Sequence, residues 1–485
     1  MNKKNLFTIA TGTLVGLLFF FRFYKLYEFV TFLSDQGRDA IILKRIITFE
    51  HFPAIGAPSS VGQVYLGPFY YYLVAPFLGL FNFDPVGPAI GVAILSIVGI
   101  FVAYLAVKKE VSPAVTLIFL AFSTFSTILT EYSRFSWNPN LLPYFSFMTL
   151  FFFHQWLEKP TVRGGIIFGA LLGFSIQLHY LGALLGVPLA LFILWKLVEI
   201  RSIKKHVKSF IAAGISFLIT ISPLLIFDLR HYFLNFRQFY KLFTEGGLSS
   251  GSSYFSRLNE TIHGLMQHSF QISTSPLVSI VLLLAIVIIG YLAYKKTQSK
   301  FILLNLLNVI IFLIGFALLG SERIPHYYGP VILSFYLICS SLYALIQHIK
   351  IKIFIVAIII ATFVFLNISN MYFLFTDGNN QISHARKVAD SFEKYVQKQP
   401  IQTVVFPHFE SDGQYRYFLE IRSYDILPAD SSTQPEELYI ICREECNPTG
   451  DGQWQIAAFT DKHLETQWKV DGVTIYKIIH NNTEP

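Results

Sequence analysis

A chain of 485 residues that is 53% hydrophobic, 16% aromatic and only 14% charged falls well short of the roughly 25% charge of ordinary soluble domains. The composition indicates a polytopic membrane protein. The net charge of +7 is the excess expected of cytoplasmic loops and gives no support for nucleic-acid binding.

The first apolar stretch, 6–28, is long enough to cross a bilayer. No A-x-A-like cleavage site follows it, so it reads as a retained span. Directly after it comes "TFLSDQGRDA", residues 31–40. Asp35 and Asp39 are four apart, and a helix starting near Ser34 puts both on one face. Ile42, Leu43, Ile46, Ile47 and Phe49 form an apolar stripe, the pattern of a helix lying in the membrane interface. The plain reading of the aspartates is helix capping, since acids favour a helix N-terminus. The segment "GPFYYYLVAPFLGLF", 67–81, is apolar but short and contains Pro68 and Pro76. It reads as a second interfacial helix.

Further spans are expected at 85–107, 113–130, 141–157, 164–180, 182–198, 209–228, 276–294, 301–320, 327–347 and 352–372, about eleven in all with the first. The basic residues Lys3, Lys4, Lys108, Lys109, Lys159, Arg163, those from Arg201 to Lys208, Lys295, Lys296, Lys300, Lys350 and Lys352 then all fall on one side. By the positive-inside rule that side is cytoplasmic. The N-terminus is therefore expected inside, and the tail beyond 373 outside.

Four outer loops follow: 29–84, 131–140, 229–275 and 321–326. The second, "EYSRFSWNPN", carries Glu131, Arg134, Trp137, Asn138 and Asn140. Arg134 suits bidentate contact with a phosphate. Asn138-Pro139 is equally readable as a cap and first position of the next helix, and Trp137 as an interfacial anchor. His179 and Tyr180 sit at a span end, and "SERIPHYYGP", 321–330, adds Glu322, Arg323 and His326 as candidate phosphate or sugar ligands. The polar tail is expected to be a small α/β domain, with a helix in "SHARKVADSFEKYVQ" and strands in "TVVFP", "ELYIIC" and "GVTIYKII". It holds no catalytic motif and reads as an accessory or acceptor-recognition domain. Of the three cysteines, Cys339 lies in an apolar run; Cys442 and Cys446 form a disulfide if their segment faces an oxidising compartment and are free otherwise. No Walker, GxSxG or Rossmann pattern and no zinc spacing is present.

On these residues the arrangement resembles the GT-C glycosyltransferases, in the branch of the protein O-mannosyltransferases and the lipid A aminoarabinose transferase (glycosyltransferase family 39). The acidic motif after the first span, "GPFYYYLVAP", the basic inner loop and "YSRFSWNPN" carry the resemblance, over roughly residues 6–230. It implies an α-helical polytopic membrane protein, with a transmembrane glycosyltransferase module over 1–375 and a small extracytoplasmic α/β domain over 376–485. It implies sugar transfer, with inversion, from a polyprenyl-phosphate donor to a lipid, glycan or protein hydroxyl on the outer face of the plasma membrane. Asp35 is then the expected base, supported by Asp39, Arg38 and Gln36. Arg134, Arg323 and His326 are the expected phosphate contacts, and Trp137, Asn138, Asn140, His179, Tyr180 and Tyr65 the substrate pocket. Gln36 and Asn140 stand where the family often has acids, and Gly67-Pro68 where it has Pro-Pro. The resemblance thus leaves a divalent metal open and implies no other cofactor. Membrane lipids are the only other expected partners, and nucleic acid is not one. The competing reading is a lipid or sugar transporter or flippase, which would carry ionisable groups at the centres of its spans. A scaffold acting through its tail is the third.

Overall fold

The computed structural model describes residues 3–59, 64–199, 206–244, 253–408 and 410–481. The basic residues Arg201, Lys204 and Lys205, and the side chains of Lys3 and Lys4, lie outside the described residues. Two compact units emerge. One comprises Met1–Tyr24, Pro53–Leu73 and Ile90–Thr376; the other comprises Lys25–Phe52, Val74–Ala89 and Asp377–Pro485.

The first unit is helical. Among the described residues, each of the eleven apolar stretches carries a helix: Lys3–Phe23, Val86–Glu110, Pro113–Phe125, Leu142–Glu158, Val162–Leu178, Gly186–Glu199, Val207–Arg230, Pro276–Thr297, Lys300–Phe316, Ile332–Ser340 and Ile349–Asn370. Five are long and apolar enough to cross a membrane by length and composition. Others are shortened by defined breaks. The stretch 113–130 stops at Phe125 and resumes at Thr127. There the Thr127 N–H donates to Asn367 Oδ1 and the Thr127 hydroxyl to the Asn367 carbonyl, both at 2.8 Å. Away from water a helix can break only where a neighbour takes up the freed backbone groups. Phe69–Leu80 has 12 residues, a rise of about 18 Å, too short to span, as its interfacial reading requires.

The helical unit has two chemically distinct ends. At one, the Lys300 ammonium lies 3.8 Å from Glu158 and 4.9 Å from the Trp195 ring. Lys109 lies over Phe151, and His154 meets Glu110 at 3.3 Å. Basic loops far apart in sequence thus gather together. The other end collects the loops 131–140, 179–185 and 317–331.

The second unit is built on a four-stranded sheet, β1 (Ile401–Phe406), β2 (Glu437–Cys442), β3 (Lys462–Val470) and β4 (Val473–His480), in the order β1-β2-β4-β3. β1 and β2 are parallel; the other pairs are antiparallel. Val404, Phe406, Leu438, Ile440, Ile456, Phe459 and Ile478 form its core. Cys442 and Cys446 are joined by a disulfide, with Cα atoms 6.2 Å apart. Three strands and the helix Gln381–Ser391 match the expected elements. β3 and the helix Gly413–Ile421 were not expected. β3 is an edge strand whose residues stay largely exposed, so it lacks the apolar alternation that marks a half-buried strand.

The helix Ser34–Ile47 belongs to this unit. Gln36, Gly37, Asp39, Ala40, Ile41, Leu43 and Ile46 are buried in it, and it packs on the helix Gly413–Ile421. Phe49 and Phe52 remain 80% and 52% exposed beyond its end. The apolar stripe is thus divided: its middle serves protein packing and its C-terminal extension stays open.

Candidate functional site

The sequence places two sets of candidate residues, and the structure puts them in different units.

In the helical unit, Asn138–Leu141 forms a 3-10 turn with Pro139 near its start. Proline suits the first turn because its ring presets φ. Trp137, not Asn138, stands at the cap position, with no side-chain capping bond, and Asn138 Nδ2 is buried without a partner. Asn140 Nδ2 donates to the Phe135 carbonyl at 2.8 Å, and its Oδ1 is buried without a partner. The Trp137 ring stands edge-on to His326 at 4.5 Å. His326 lies 6.0 Å from His179, which packs on Tyr180 at 4.3 Å and Tyr327 at 5.4 Å. Trp137, Asn140, His179, Tyr180 and His326, scattered over nearly 200 positions, therefore meet in one cluster. Tyr132 and Tyr327 join it; a Tyr in an aromatic-rich chain gave no signal of its own.

Both histidines are buried. Burial lowers the His326 pKa to about 3; burial, then His326 itself, lowers that of His179. Both imidazoles are neutral at neutral pH. His179 Nδ1 accepts from the Leu181 N–H at 3.3 Å, which leaves the ring proton on Nε2. His326 Nδ1 is buried without a partner. Unpaired buried polar atoms are costly and uncommon in native structures, and Asn138, Asn140 and His326 of the expected pocket each carry one.

The arginines are differently employed. Arg134 Nη1 donates to the carbonyls of Phe21 and Arg22 at 2.7 and 3.2 Å, and Nη2 to that of Tyr24 at 2.8 Å. Its guanidinium also lies 3.9 Å from the Phe373 ring centre. It closes the C-terminal end of the first helix, whose last carbonyls have no intrahelical donors. Burial lowers its pKa to about 10, so it stays charged. Arg323 donates to Thr261 Oγ1 at 2.8 Å, to the Leu319 carbonyl at 3.0 Å and to the Ser321 carbonyl. The expected phosphate-binding role therefore finds both guanidinium groups already bonded to protein oxygens. Glu131, beside Arg134, has its pKa raised to about 7 by burial.

Tyr65 stands apart from this cluster but shares a cavity with Tyr180. Its backbone N–H donates to Asn235 Oδ1 at 2.8 Å, and Asn235 Nδ2 returns a bond to the Tyr65 carbonyl at 3.0 Å. The cavity, about 250 Å³, is lined mostly by apolar side chains such as Leu66, Ile176, Leu224 and Phe239, with Asp228 also in its wall. A neighbouring cavity of about 560 Å³ lies between Pro53–Ile55, Pro68, Tyr72 and the helix end at Pro223–His231, and includes Arg230 and His231. These two side chains were not singled out in the sequence. Gly67, just before Pro68, is required by close approach: a Cβ there would meet the Gln177 side chain at 2.3 Å.

In the second unit, Asp35 and Asp39 share Arg38. Asp35 Oδ1 accepts from Nη1 at 2.9 Å, and Asp39 Oδ1 from Nε at 3.1 Å and Nη2 at 2.9 Å. The two carboxylates differ in access: the Asp35 side chain is 52% exposed and that of Asp39 only 1%. Gln36 Oε1 accepts from the Leu33 N–H at 3.2 Å, so the capping is done by Gln36 and not by either acid. Among the described residues no three His, Cys, Asp or Glu side chains gather as a metal site, and both acids of the motif are taken by Arg38. These side chains do not fit a resident metal.

Residues 66–227 match the family described as dolichyl-phosphate-mannose-protein mannosyltransferase. That stretch holds Arg134, the Trp137–Asn140 segment, His179 and Tyr180. No curated protein sequence matches the chain. Among solved structures, ArnT from Cupriavidus metallidurans bound to undecaprenyl phosphate superposes with a TM-score of 0.64 over 98% of both chains, at 12% identity. AglB from Archaeoglobus fulgidus, an archaeal oligosaccharyltransferase in complex with an inhibitory peptide and a dolichol-phosphate, gives 0.54 at 12% identity, over 86% of this chain and 63% of that one. The chain shares the fold of ArnT. The expected α-helical polytopic membrane architecture with a small C-terminal domain is the one found. Within this fold the aspartate motif and the histidine cluster are contributed by different compact units.

Proposed function

We propose that the protein transfers a sugar from a polyprenyl-phosphate donor to an acceptor hydroxyl, of a lipid, glycan or protein, on the outer face of the plasma membrane. The N-terminus is then cytoplasmic and the tail extracytoplasmic. The observation that carries the reading is Asp35: a half-exposed carboxylate on the first turn of its helix, held by Arg38, in a chain of GT-C fold. The match to the mannosyltransferase family over residues 66–227 supports it.

In this reading Asp35 takes the proton of the acceptor hydroxyl as that oxygen attacks the anomeric carbon. The carbon–oxygen bond to the polyprenyl phosphate breaks on the opposite face, so the configuration inverts. The leaving phosphate needs positive charge at its oxygens. Arg230, exposed at the larger cavity of the helical unit with His231, is the group assigned to the phosphate, while Arg134 and Arg323 hold backbone carbonyls within that unit. The mostly apolar cavity at Tyr65 and Tyr180 suits the first isoprene units. Asn138, Asn140, His179, His326 and Trp137 form an uncharged polar and aromatic wall suited to a sugar ring. Asp39 and Gln36 hold Arg38 and the helix start. No step is routed through a metal.

The test is reconstitution of the protein in vesicles with undecaprenyl-phosphate-linked radiolabelled mannose, glucose, galactose or pentose. The expected result is release of undecaprenyl phosphate from one of these donors. Label crossing the bilayer on intact donor would establish the flippase reading instead.

A further inference from the structure

The acidic motif is gripped by the tail through an unusually close helix crossing. A Cβ on Gly37 would lie 2.1 Å from the Gly413 carbonyl carbon and 2.2 Å from the Gln414 nitrogen. A Cβ on Gly413 would lie 2.4 Å from the Ser34 carbonyl oxygen and 2.9 Å from the Arg38 nitrogen. Side chains of any size are therefore excluded on both helices, and the backbone of the aspartate helix rests directly on the tail. The hydrogen bonding is specific to this seam. Ser34 Oγ donates to the Ser411 carbonyl at 3.1 Å and accepts from the Ser411 N–H at 3.0 Å. At the far end Arg45 pairs with Glu420 at 3.4 Å. The approach to the motif is held too: Phe32 packs on Tyr417 and Phe418, and its N–H donates to Gln381 Oε1 at 2.7 Å.

We propose that the C-terminal segment is a positioning element for the acidic motif, acting through the Gly37–Gly413 and Ser34–Ser411 contacts, and not only a platform for acceptors. This rests on the reading of Asp35 as the base. Asp35 sits one residue after Ser34 and two before Gly37, so any shift of the seam moves its carboxylate directly. Misplacement of a reacting group by about 1 Å costs on the order of a hundredfold in rate.

The test uses the full-length protein in vesicles with undecaprenyl-phosphate mannose as probe, alongside hydrogen exchange of residues 34–39. Gly413→Ala is expected to lower kcat about a hundredfold with donor KM within about threefold, and to speed exchange across 34–39. Ser34→Ala, which removes the hydroxyl without a clash, gives the same split more weakly and keeps the result interpretable if Gly413→Ala misfolds. Gly452→Ala, where a Cβ meets nothing within 4 Å, leaves rate and exchange unchanged. Asp35→Asn separates the two claims. If it abolishes turnover while Gly413→Ala and Ser34→Ala turn over normally, the positioning role is overturned and the base stands. If Asp35→Asn turns over normally, the base assignment falls and takes the positioning role with it.

Discussion

The carboxylates of Asp35 and Asp39 compete for one guanidinium, and their different exposure decides what each can do. A base must reach hydrogen-bond distance of its substrate, which the half-exposed Asp35 can and the buried Asp39 cannot without rearrangement. Asp35→Asn is expected to cut transfer at least about a hundredfold with normal membrane insertion, as measured by undecaprenyl phosphate release. Asp39→Asn should instead lower thermal stability in detergent, since it weakens the charged partner of Arg38 inside the unit; an unchanged melting temperature would contradict that. His326 provides a pH signature. Its folded pKa of about 3 lies below the unfolded value near 6.5, so the unfolded chain binds the extra proton first. Stability is full above pH 6.5 and is lost as pH falls towards 3, by about 2 kcal/mol at pH 5 from this group alone. His179 faces it and titrates in the same sense. Replacing His326 with Gln should therefore flatten, but not remove, the fall in melting temperature between pH 7.5 and 5.

At the scale of elements, helix ends are closed by arginine side chains, most of them distant in sequence. The first helix ends against Arg134, and the end of Lys300–Phe316 against Arg257 and Arg323, which donate to the Ala317 and Leu319 carbonyls at 3.0 Å. Carbonyls left open near lipid cost several kcal/mol each. Arg134→Lys keeps the charge but loses the planar fork that reaches three carbonyls. It should destabilise the protein by several degrees in a detergent melt, and donor KM should change little; a large rise in KM with unchanged stability would restore Arg134 to the phosphate. Gly67→Ala should be as damaging as a core overpacking change, about 1–3 kcal/mol, because Gln177 occupies the only space for a methyl group.

For the whole molecule, the gathering of Lys109, Lys300 and their neighbours at one end of the helical unit is the physical basis of the orientation proposed. Cysteines introduced at Lys109 and at Asp430, with Cys339 replaced by Ser, should react with a membrane-impermeant maleimide in opposite vesicle orientations. Reaction of both from the same side would overturn the orientation.

Much was legible in the sequence because it follows from local rules. Apolar length located the eleven helical stretches, shortness and proline marked the helix at 69–80, and the motifs around Asp35 and Asn138 pointed to the fold shared with ArnT. Side-chain partners were not legible. Arg134 and Arg323 look alike whether they face a phosphate or a helix end, and only folding brought Arg134 to the Phe21 carbonyl 113 positions away and Arg323 to the Thr261 hydroxyl 62 positions away. The same holds for the difference between Asp35 and Asp39, four residues apart on one helix face. That difference, 52% exposure against 1%, is set by how the helix packs in its unit, between chain segments that no sequence period connects.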